Sequence, residues 1–356
     1  MERPTLGLCV PPPDWQAGVV LLPTTRDFSG LNRALPIAAL LSVAALTPSP
    51  TPQPMASSSS ALTFWNYRAP MPLPRGGCAV GVLDGRMILA GGTYWSEGRK
   101  IWSDRVDFFD PVANRWEPAP SLPAPRGDAA FAVVDQDFYL LGGGANGTAE
   151  ASAWRFRHGA WSEVADLALP AGRRSPGVAV WQGRIFVVGG FAGDTATTAT
   201  TTWWSAIPGQ PWKSCAPIPA PLRFSPAVAG IREGILLAGG ATLVDGQIKN
   251  LDEILLYRPD TDAWSVVGRL PVPARAGFAV SDGDRVLIGG GYTDKFIDGI
   301  LALNPRTGAI VAAGQLPHPL ADTRYVRIGS RLLVVSGEAG DKIRGSWTLE
   351  TALPGP

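Results

Sequence analysis

The clearest pattern in the chain is a short apolar run that ends in two glycines and returns at nearly even intervals. The first copy reads Arg86-Met-Ile-Leu-Ala-Gly91-Gly92 and follows a turn at Asp84-Gly85. Such apolar runs between turn residues are typical of buried β-strands. Later copies end at Gly142-Gly143, Gly189-Gly190, Gly239-Gly240, Gly289-Gly290 and, in altered form, Ser336-Gly337. The steps between them are 51, 47, 50, 50 and 47 residues.

A tryptophan that follows a polar turn closes most of these repeats. We expect each tryptophan to lie on the outermost strand of its repeat and to pack that repeat on a neighbour. A period of about fifty residues built from short strands indicates a β-propeller in which each repeat forms one blade. The tryptophans are Trp65, Trp116, Trp161, Trp212 and Trp264, and Ile310 takes the remaining position.

The two ends of the repeat region complement each other. The last repeat supplies three strands, predicted at Arg324–Ile328, Arg331–Val335 and Ser346–Glu350, and the segment around Trp65 supplies an outer strand only. The sequence therefore predicts an all-β, six-bladed propeller whose last blade is closed by the N-terminal strand. Closure of the ring would remove the long open edge that a linear array of strands exposes.

The first 60 residues differ from the rest of the chain. The run 35–46 is apolar, follows basic residues and ends in small residues, as a signal peptide does. Residues 47–60 are rich in proline, serine and threonine, which is typical of a linker. We expect a signal or anchor segment and linker at 1–60, the propeller at 61–356, and export to the periplasm or the cell exterior.

Composition excludes some partners. The formal net charge is +1, so no overall field favours nucleic acid or an anionic membrane surface. The glycine and proline contents are high while 46% of residues are hydrophobic, which fits short strands joined by tight turns. Cys78 and Cys215 have no metal-type spacing and are expected to be free thiols.

A second periodic feature is an arginine ahead of each innermost strand. In an antiparallel blade this position shares a face with the loop after the diglycine, so the arginines would ring the channel mouth. A guanidinium suits carboxylate or phosphate, which favours an anionic-ligand pocket with two or three of the six in contact with the ligand. The alternative is that they satisfy carbonyls and carboxylates between blades. They are Arg75, Arg126, Arg173, Arg223, Arg275 and, in a looser match, Arg324.

The altered sixth copy places Glu338 directly after Gly337, and Arg344 follows six residues later. Both would lie on the arginine face, at the root of a long loop near the propeller axis. A glutamate in a partly dehydrated channel mouth has a raised pKa and suits proton transfer. The alternative is an ion pair that only shapes its own loop.

The repeats from about Ala61 to Glu350 resemble kelch repeats, which specify a fold shared by enzymes and protein-binding modules. Within that family, the segment from Gly337 to Arg344 resembles the Gly-Glu-x5-Arg segment of bacterial N-acetylneuraminate (sialic acid) mutarotases, which are exported six-bladed propellers. The resemblance implies an isomerase in which Glu338 moves a proton during anomer interconversion. Arg344 would hold the sugar acid, and the six arginines would bind its carboxylate.

A second hypothesis is a non-catalytic kelch module that binds an acidic glycan or peptide through the arginine-lined face. It would use loop aromatics such as Tyr94, Trp95 and Tyr292. A copper oxidase of the kelch type is not expected, because that site needs two histidines and His158 and His318 are predicted on opposite faces. Neither hypothesis requires a cofactor, and neither fixes the oligomeric state.

Overall fold

Six four-stranded antiparallel sheets make up the part of the chain that the structure, a computed structural model, describes. The described residues are 62–193 and 195–353, and they lie within one compact unit, Ser57–Pro356. Each sheet is one blade, and the innermost strands of successive blades contact one another around a closed ring. This is the six-bladed β-propeller that the fifty-residue period predicts.

The strands follow the apolar runs of the sequence closely, and blades 1 to 5 are each formed from consecutive segments of chain. The chain begins with β1 (Asn66–Tyr67), then forms blade 1 from β2 (Ala79–Leu83), β3 (Arg86–Ala90), β4 (Thr93–Ser96), β5 (Arg99–Trp102), β6 (Val106–Asp110) and β7 (Arg115–Ala119), and blade 2 from β8 (Ala130–Val134), β9 (Asp137–Leu141), β10 (Ala153–Arg157) and β11 (Ala160–Glu163). Blade 3 contains β12 (Gly177–Trp181), β13 (Arg184–Val188), β14 (Trp203–Ala206) and β15 (Lys213–Ser214), and blade 4 contains β16 (Ala227–Ile231), β17 (Gly234–Ala238), β18 (Ala241–Val244), β19 (Gln247–Asn250), β20 (Glu253–Arg258) and β21 (Ala263–Arg269). Blade 5 contains β22 (Phe278–Asp282), β23 (Arg285–Gly289), β24 (Gly299–Leu303) and β25 (Ile310–Gln315), and blade 6 contains β26 (Arg324–Ile328), β27 (Arg331–Val335), β28 (Glu338–Gly340), β29 (Ile343–Arg344) and β30 (Thr348–Ala352). Two short 3-10 helices complete the list, at Ala165–Leu167 and Ala196–Thr198.

Blade 6 is built from both ends of the propeller. Its strand order is β26-β27-β30-β1, and the N-terminal β1 pairs antiparallel with β30, with Tyr67 opposite Leu349. The N–H of Leu62 also donates to the carbonyl of Ala313 at 2.7 Å. The predicted closure by the N-terminal strand is confirmed, although β30 begins two residues later than the sequence suggested.

The hydrophobic core lies between neighbouring blades rather than at the centre of the molecule. Between blades 5 and 6, for example, Phe278 and Leu287 pack with Leu332 and Leu349. Successive side chains of a strand point to opposite faces, and here each face of a blade meets another blade. This explains why the strand segments read as continuous apolar runs instead of alternating ones.

The tryptophans join the blades at their outer edges, as predicted. Trp116 of blade 1 donates its Nε1–H to the carbonyl of Ala69 beside blade 6, at 2.9 Å. An indole that is buried on one side gains both apolar contact and a satisfied N–H in this way. The other bonds of this kind run from Trp65 to Gln315, Trp161 to Pro120, Trp212 to Leu167 and Trp264 to Ala216.

Three of the loops that follow a diglycine form two-stranded hairpins: β4–β5 in blade 1, β18–β19 in blade 4 and β28–β29 in blade 6. They share the face that also carries the connections into the innermost strands, which we call the loop face. Among the described residues, no helix combines the length and the hydropathy needed to cross a membrane. The predicted signal run 35–46 lies outside the described residues.

Candidate functional site

The connections into the innermost strands form a hydrogen-bonded belt around the channel mouth on the loop face. One residue in each connection has a left-handed backbone, with φ between 46° and 63°. This conformation turns its N–H toward the same residue of the neighbouring blade. Asp128 donates to Gly77, Ser175 to Asp128, Ser225 to Ser175, Ala276 to Ser225 and Asp322 to Ala276, over 2.8 to 3.3 Å.

A side chain closes the belt between blades 6 and 1. The N–H of Gly77 donates to Oδ2 of Asp322 at 2.8 Å, whereas the other belt bonds end on backbone carbonyls. The second oxygen of Asp322, Oδ1, accepts a hydrogen bond from Nη1 of Arg324 at 2.8 Å. The seam where the two chain ends meet is therefore held by a carboxylate that the sequence analysis did not select.

The belt surrounds a small central cavity. Its volume is about 110 Å³, and Phe131, Val178 and Tyr325 line it together with five of the six belt residues. Ligand pockets for drug-sized molecules usually occupy roughly 300 to 1,000 Å³. The channel mouth has room for a few water molecules or a small group, and less than a nine-carbon sugar acid requires.

Four of the six predicted arginines are buried within their own blades and do not line this cavity. Arg75 is fully buried and pairs with Asp107 at 2.7 Å. Arg223, also fully buried, donates to the Gly239 carbonyl at 2.6 Å. Each arginine joins the connection ahead of a blade to the second and third strands of that blade. These are contacts with carbonyls and carboxylates of the protein, which the sequence analysis gave as the alternative to ligand binding. Arg126 and Arg173 stack their guanidinium groups over Trp154 and Trp204, at 4.3 and 4.4 Å from the ring centroids.

The repeat register in blades 5 and 6 corrects three sequence assignments. The fifth diglycine is Gly290-Gly291, with φ of 59° and 116°, while Gly289 ends β23. The run of three consecutive glycines hid this shift. The arginine position is likewise Ala274 in blade 5, because its carbonyl accepts the N–H of Gly240 at 2.9 Å, as the Arg126 carbonyl accepts that of Gly92 at 2.8 Å. By the same criterion, Leu320 takes this position in blade 6.

Arg275 and Arg324 therefore differ from the other four arginines. Arg275 lies one residue past the arginine position, donates to Oδ1 of Asn250 at 2.6 Å and stacks over Tyr292 at 4.5 Å. Burial lowers its pKa, against the opposing effects of Tyr292 and Glu338. Arg324 lines the central cavity and donates to the Cys78 carbonyl at 2.5 Å as well as to Asp322. Ligand binding by any of the six stays a prediction.

Glu338 and Arg344 form an ion pair within one hairpin. They face each other across β28 and β29, and Nη2 of Arg344 lies 2.8 Å from Oε1 of Glu338. The Glu338 side chain is 37% exposed and that of Arg344 only 7%. Burial and the nearby Asp322 raise the pKa of Glu338, and Arg344 partly opposes the rise. The sequence therefore placed Glu338 and Arg344 correctly on one loop, and they form the ion pair within that loop that was the alternative to a catalytic role.

Arg344 is held in place by blade 1 as well as by its own hairpin. Its Nε lies 2.9 Å from the point where a Cβ on Gly76 would stand, so the Arg344 side chain packs directly against the Gly76 backbone and a larger residue there would displace it. The adjacent Lys342 places its ammonium 5.2 Å from the ring centroid of Trp95 on the blade 1 hairpin. The hairpins of blades 6 and 1 therefore pack together into one wall of the loop face.

A second ion pair on this face was missed by sequence reasoning. Nη2 of Arg174 pairs with Oδ2 of Asp128 at 2.9 Å, across the boundary between blades 3 and 2. Asp128 and Asp322 occupy the same belt position, 194 residues apart in sequence. An aspartate just before an innermost strand was the signal in the sequence that could have identified these positions, because aspartate tolerates a left-handed backbone. The charged groups of the channel mouth are thus paired with one another.

Cys78, Cys215 and His318 contact other groups of the protein. Cys78 is buried and Cys215 half-buried, and neither forms a disulfide. His318 stacks on Trp347 with ring centroids 4.0 Å apart, and its Nε2 lies 2.8 Å from the hydroxyl of Tyr67. Within the described part of the chain, no group of three or more potential ligands could hold a metal ion.

Comparison with known proteins agrees with this architecture. A family model described as Kelch motif matches residues 74–123. The fold is a six-bladed β-propeller of the kelch type. The matched segment runs from the arginine position of blade 1 through its diglycine and its outer tryptophan, so the motif corresponds to the buried Arg75 contact, the turn after β3 and the Trp116 bond to blade 6.

The kelch propeller is similar to several curated proteins over part of their length. It is 29% identical over 246 residues to Kelch-like protein terF of Aspergillus terreus, covering 64% of this chain and 52% of that protein. It is 31% identical over 193 residues to Kelch-like protein 35 of Mus musculus, covering 53% and 32%. A Kelch repeat and BTB domain-containing protein 1 of cowpox virus is 28% identical over 225 residues, covering 61% and 38%. The chain thus spans about half or less of these relatives, and none of the three is named as a mutarotase.

Proposed function

We propose that this kelch-repeat propeller is a non-catalytic binding module whose loop face receives a segment of a partner polypeptide. The observation that carries the proposal is the set of hairpins on that face, which present exposed aliphatic side chains at Val244, Ile248 and Ile343. These side chains are 45%, 50% and 58% exposed. Exposed aliphatic groups on a rigid scaffold are the features that partner polypeptides cover.

The charges of the hairpins favour a peptide of mixed charge over an acidic glycan. The blade 1 hairpin turn carries Glu97 beside Arg99, and the blade 6 hairpin turn carries Asp341 beside Lys342. Glu97 and Arg99 approach each other to 3.7 Å, and both are largely exposed. A surface that carries charges of both signs together with exposed aliphatic groups resembles the rim and core of a protein interface.

The test is a selection of peptides from a phage-displayed library on the full chain. We expect selected peptides to lose at least about tenfold in affinity when Ile343→Asp or Ile248→Asp is introduced, because buried aliphatic contacts carry most of such binding. Val112→Asp is the matched control, since Val112 is 86% exposed in the turn between β6 and β7 on the opposite face. Failure to select any saturable peptide, or an equal loss in Val112→Asp, would overturn the proposal.

A second candidate function is anomer interconversion of a sugar acid, and one observation favours it. The pKa of Glu338 is raised, as a proton-transfer group requires, and Arg344 lies beside it. Weighing against it are the ion pair itself and the small central cavity. Both candidates are compatible with export, which we infer from the sequence at 35–46 alone.

Proton NMR separates the two candidates. Freshly released α-N-acetylneuraminate would equilibrate faster than spontaneously in the presence of a mutarotase, and Glu338→Gln would abolish the acceleration while Glu97→Gln, at an exposed hairpin position, would not. An unchanged equilibration rate at micromolar protein rejects this substrate. The binding-module proposal does not depend on that result.

A further inference from the structure

Blade 5 lacks the side chain that fills one interior space in the other blades. In blades 1 to 4 this space holds a buried arginine, and in blade 6 it holds Leu320, which is 1% exposed. In blade 5 the position is Ala274. A cavity of about 380 Å³ opens there between blades 4 and 5, and it is more than three times the volume of the central cavity. We call it the blade 5 pocket.

Blade 4 shows which contacts the missing arginine would have made. There, Arg223 donates to the Gly239 carbonyl at 2.6 Å and pairs with Glu253 at 3.3 Å. The corresponding residues of blade 5 are Gly290 and Gly299, because the N–H of Gly290 donates to Gly299 as that of Gly239 donates to Glu253. A Cβ added to Gly299 would meet no atom within 4 Å. Two small residues, Ala274 and Gly299, thus leave the space of an arginine and its carboxylate open.

The walls of the pocket are aliphatic and its rim is acidic. Leu270, Ile288 and Leu301 line its interior. Leu301 lies opposite Ile288 on the third strand, as Trp154 lies opposite Leu140 in blade 2 with the Arg126 guanidinium above it. At the rim, the carboxylates of Asp294 and Asp298 outnumber the ammonium of Lys295. An occupant with an apolar stem and a cationic end matches both features.

We propose that the blade 5 pocket binds an arginine side chain presented by a polypeptide ligand. The aliphatic stem would lie along Leu270 and Ile288, and the guanidinium would meet the Gly290 carbonyl, which corresponds to the carbonyl that Arg223 contacts in blade 4. Guanidinium groups form strong hydrogen bonds with carbonyl and carboxylate oxygens in such partly buried sites. The proposal does not rest on the hairpins, since the pocket is formed by blades 4 and 5 without β18–β19 or β28–β29.

The test uses n-butylguanidinium as a probe, because it reproduces the stem and the head of an arginine side chain. Saturation-transfer difference NMR on the full chain should show saturable binding with a Kd of order 1 mM, as expected for so few heavy atoms. Pentanoate, an anion of similar length, should bind at least about tenfold more weakly because of the acidic rim. Equal binding of the two probes, or no saturation up to about 50 mM probe, would overturn the proposal.

Filling the pocket should remove binding. The double variant Ala274→Arg with Gly299→Glu copies the Arg223–Glu253 pair of blade 4 into blade 5, and Ala274→Leu copies Leu320 of blade 6. We expect the Kd for n-butylguanidinium to rise at least about tenfold in either variant. Val112→Arg with Ala113→Glu adds the same charges on the opposite face and should leave the Kd unchanged.

Circular dichroism and the unfolding midpoint show whether the double variant folds. If it does not fold, Ala274→Leu alone tests whether filling the pocket removes binding. A folded filled variant that still binds the probe would show that the probe lies elsewhere and would reject the blade 5 pocket. Loss of peptide binding in the hairpin variants leaves this result untouched, so failure of the proposed function and failure of the pocket can be told apart.

Discussion

At the scale of single residues, the arginines of the repeats are better explained by the blades than by a ligand. Arg75 and Arg223 are completely buried, and each donates hydrogen bonds to a carboxylate and to at least one carbonyl at the end of a strand. A buried guanidinium without partners would be costly, so these contacts are a condition for the fold. The periodicity of arginine in the sequence therefore reports a repeated structural contact.

Arg75→Met should lower the free energy of unfolding by about 3 kcal/mol, because it leaves the carboxylate of Asp107 buried with one cation fewer. The side chains of Arg75 and Asp107 are 0% and 1% exposed. Denaturant unfolding of the variant measures the effect, with Arg99→Ala as the control at a site that is 78% exposed. Equal stability of Arg75→Met and the parent chain would contradict the assigned role.

The pKa of Glu338 predicts a pH dependence of stability. Because burial raises this pKa above the ordinary 4.5, the folded protein holds a proton that the unfolded chain has released between the two values. The contribution of Glu338 to the free energy of unfolding therefore falls as pH rises through that window and is constant above it. Denaturant unfolding across pH should show this slope in the parent chain and in Glu97→Gln, but not in Glu338→Gln. If the free energy of unfolding of the parent chain rose relative to that of Glu338→Gln as pH increased, the assigned direction of the pKa shift would be wrong.

At the scale of the element, the N-terminal strand completes blade 6 and joins its outer edge to blade 5. Leu62 is buried in the core between blades 5 and 6, and Trp65 packs against that core while bonding to Gln315 at 2.8 Å. Tyr67 also reaches His318 on the loop that precedes blade 6. One short strand thus connects the two outermost edges of blades 5 and 6.

Removal of residues 1–69 should lower the unfolding midpoint by roughly 10 °C, because it deletes the core side chains of Leu62 and Trp65 together with the β1–β30 bonds. Removal of residues 1–60 is the control. It should leave the unfolding midpoint unchanged, because the sequence predicts that the propeller begins at residue 61. Differential scanning calorimetry of the two truncated chains measures both effects. A similar midpoint for the two would show that blade 6 does not need its fourth strand.

At the scale of the whole molecule, the belt joins the six blades into one hydrogen-bonded ring. Each innermost strand is tied to its neighbours by a backbone bond around the channel mouth, and Asp322 completes the circuit at the seam. The four charges nearest this circuit, Asp128 with Arg174 and Asp322 with Arg324, neutralise one another in pairs. The loop face therefore presents its hairpins and the blade 5 pocket, and not a ring of free cations.

Hydrogen exchange should reveal the belt directly. In the parent chain, the belt amides of Gly77, Asp128, Ser175 and Asp322 should exchange at similar, slow rates, because opening one of them requires the ring to open. In Asp322→Ala, the Gly77 amide should exchange at least about tenfold faster than the other belt amides, since it alone loses its acceptor. Asp284→Ala, at a site that is 77% exposed, is the control. Equal acceleration of all belt amides would indicate general destabilisation instead.

Much of the fold could be predicted because its determinants are local and repeated. The apolar runs, the turn residues and the outer tryptophans recur with the blade period, and each signals a strand or a packing contact through short-range chemistry. The register was lost ahead of β26, where Arg324 was assigned to the position that Leu320 occupies. It was also lost by one residue at Gly289-Gly290-Gly291, where three identical residues offer two alignments. That one-residue ambiguity concealed Ala274 as the exception to the arginine repeat.

The sequence by itself determined the number of blades, the closure by the N-terminal strand and the placement of Glu338 near Arg344, because each follows from periodicity or from proximity along the chain. Only the tertiary structure decided that four arginines are buried, that Asp322 closes the belt and that blade 5 contains a pocket. Those features depend on contacts between residues that are far apart in sequence, and on the space that a missing side chain leaves open. A sequence records which side chains are present, whereas the space between them is a property of the assembled ring.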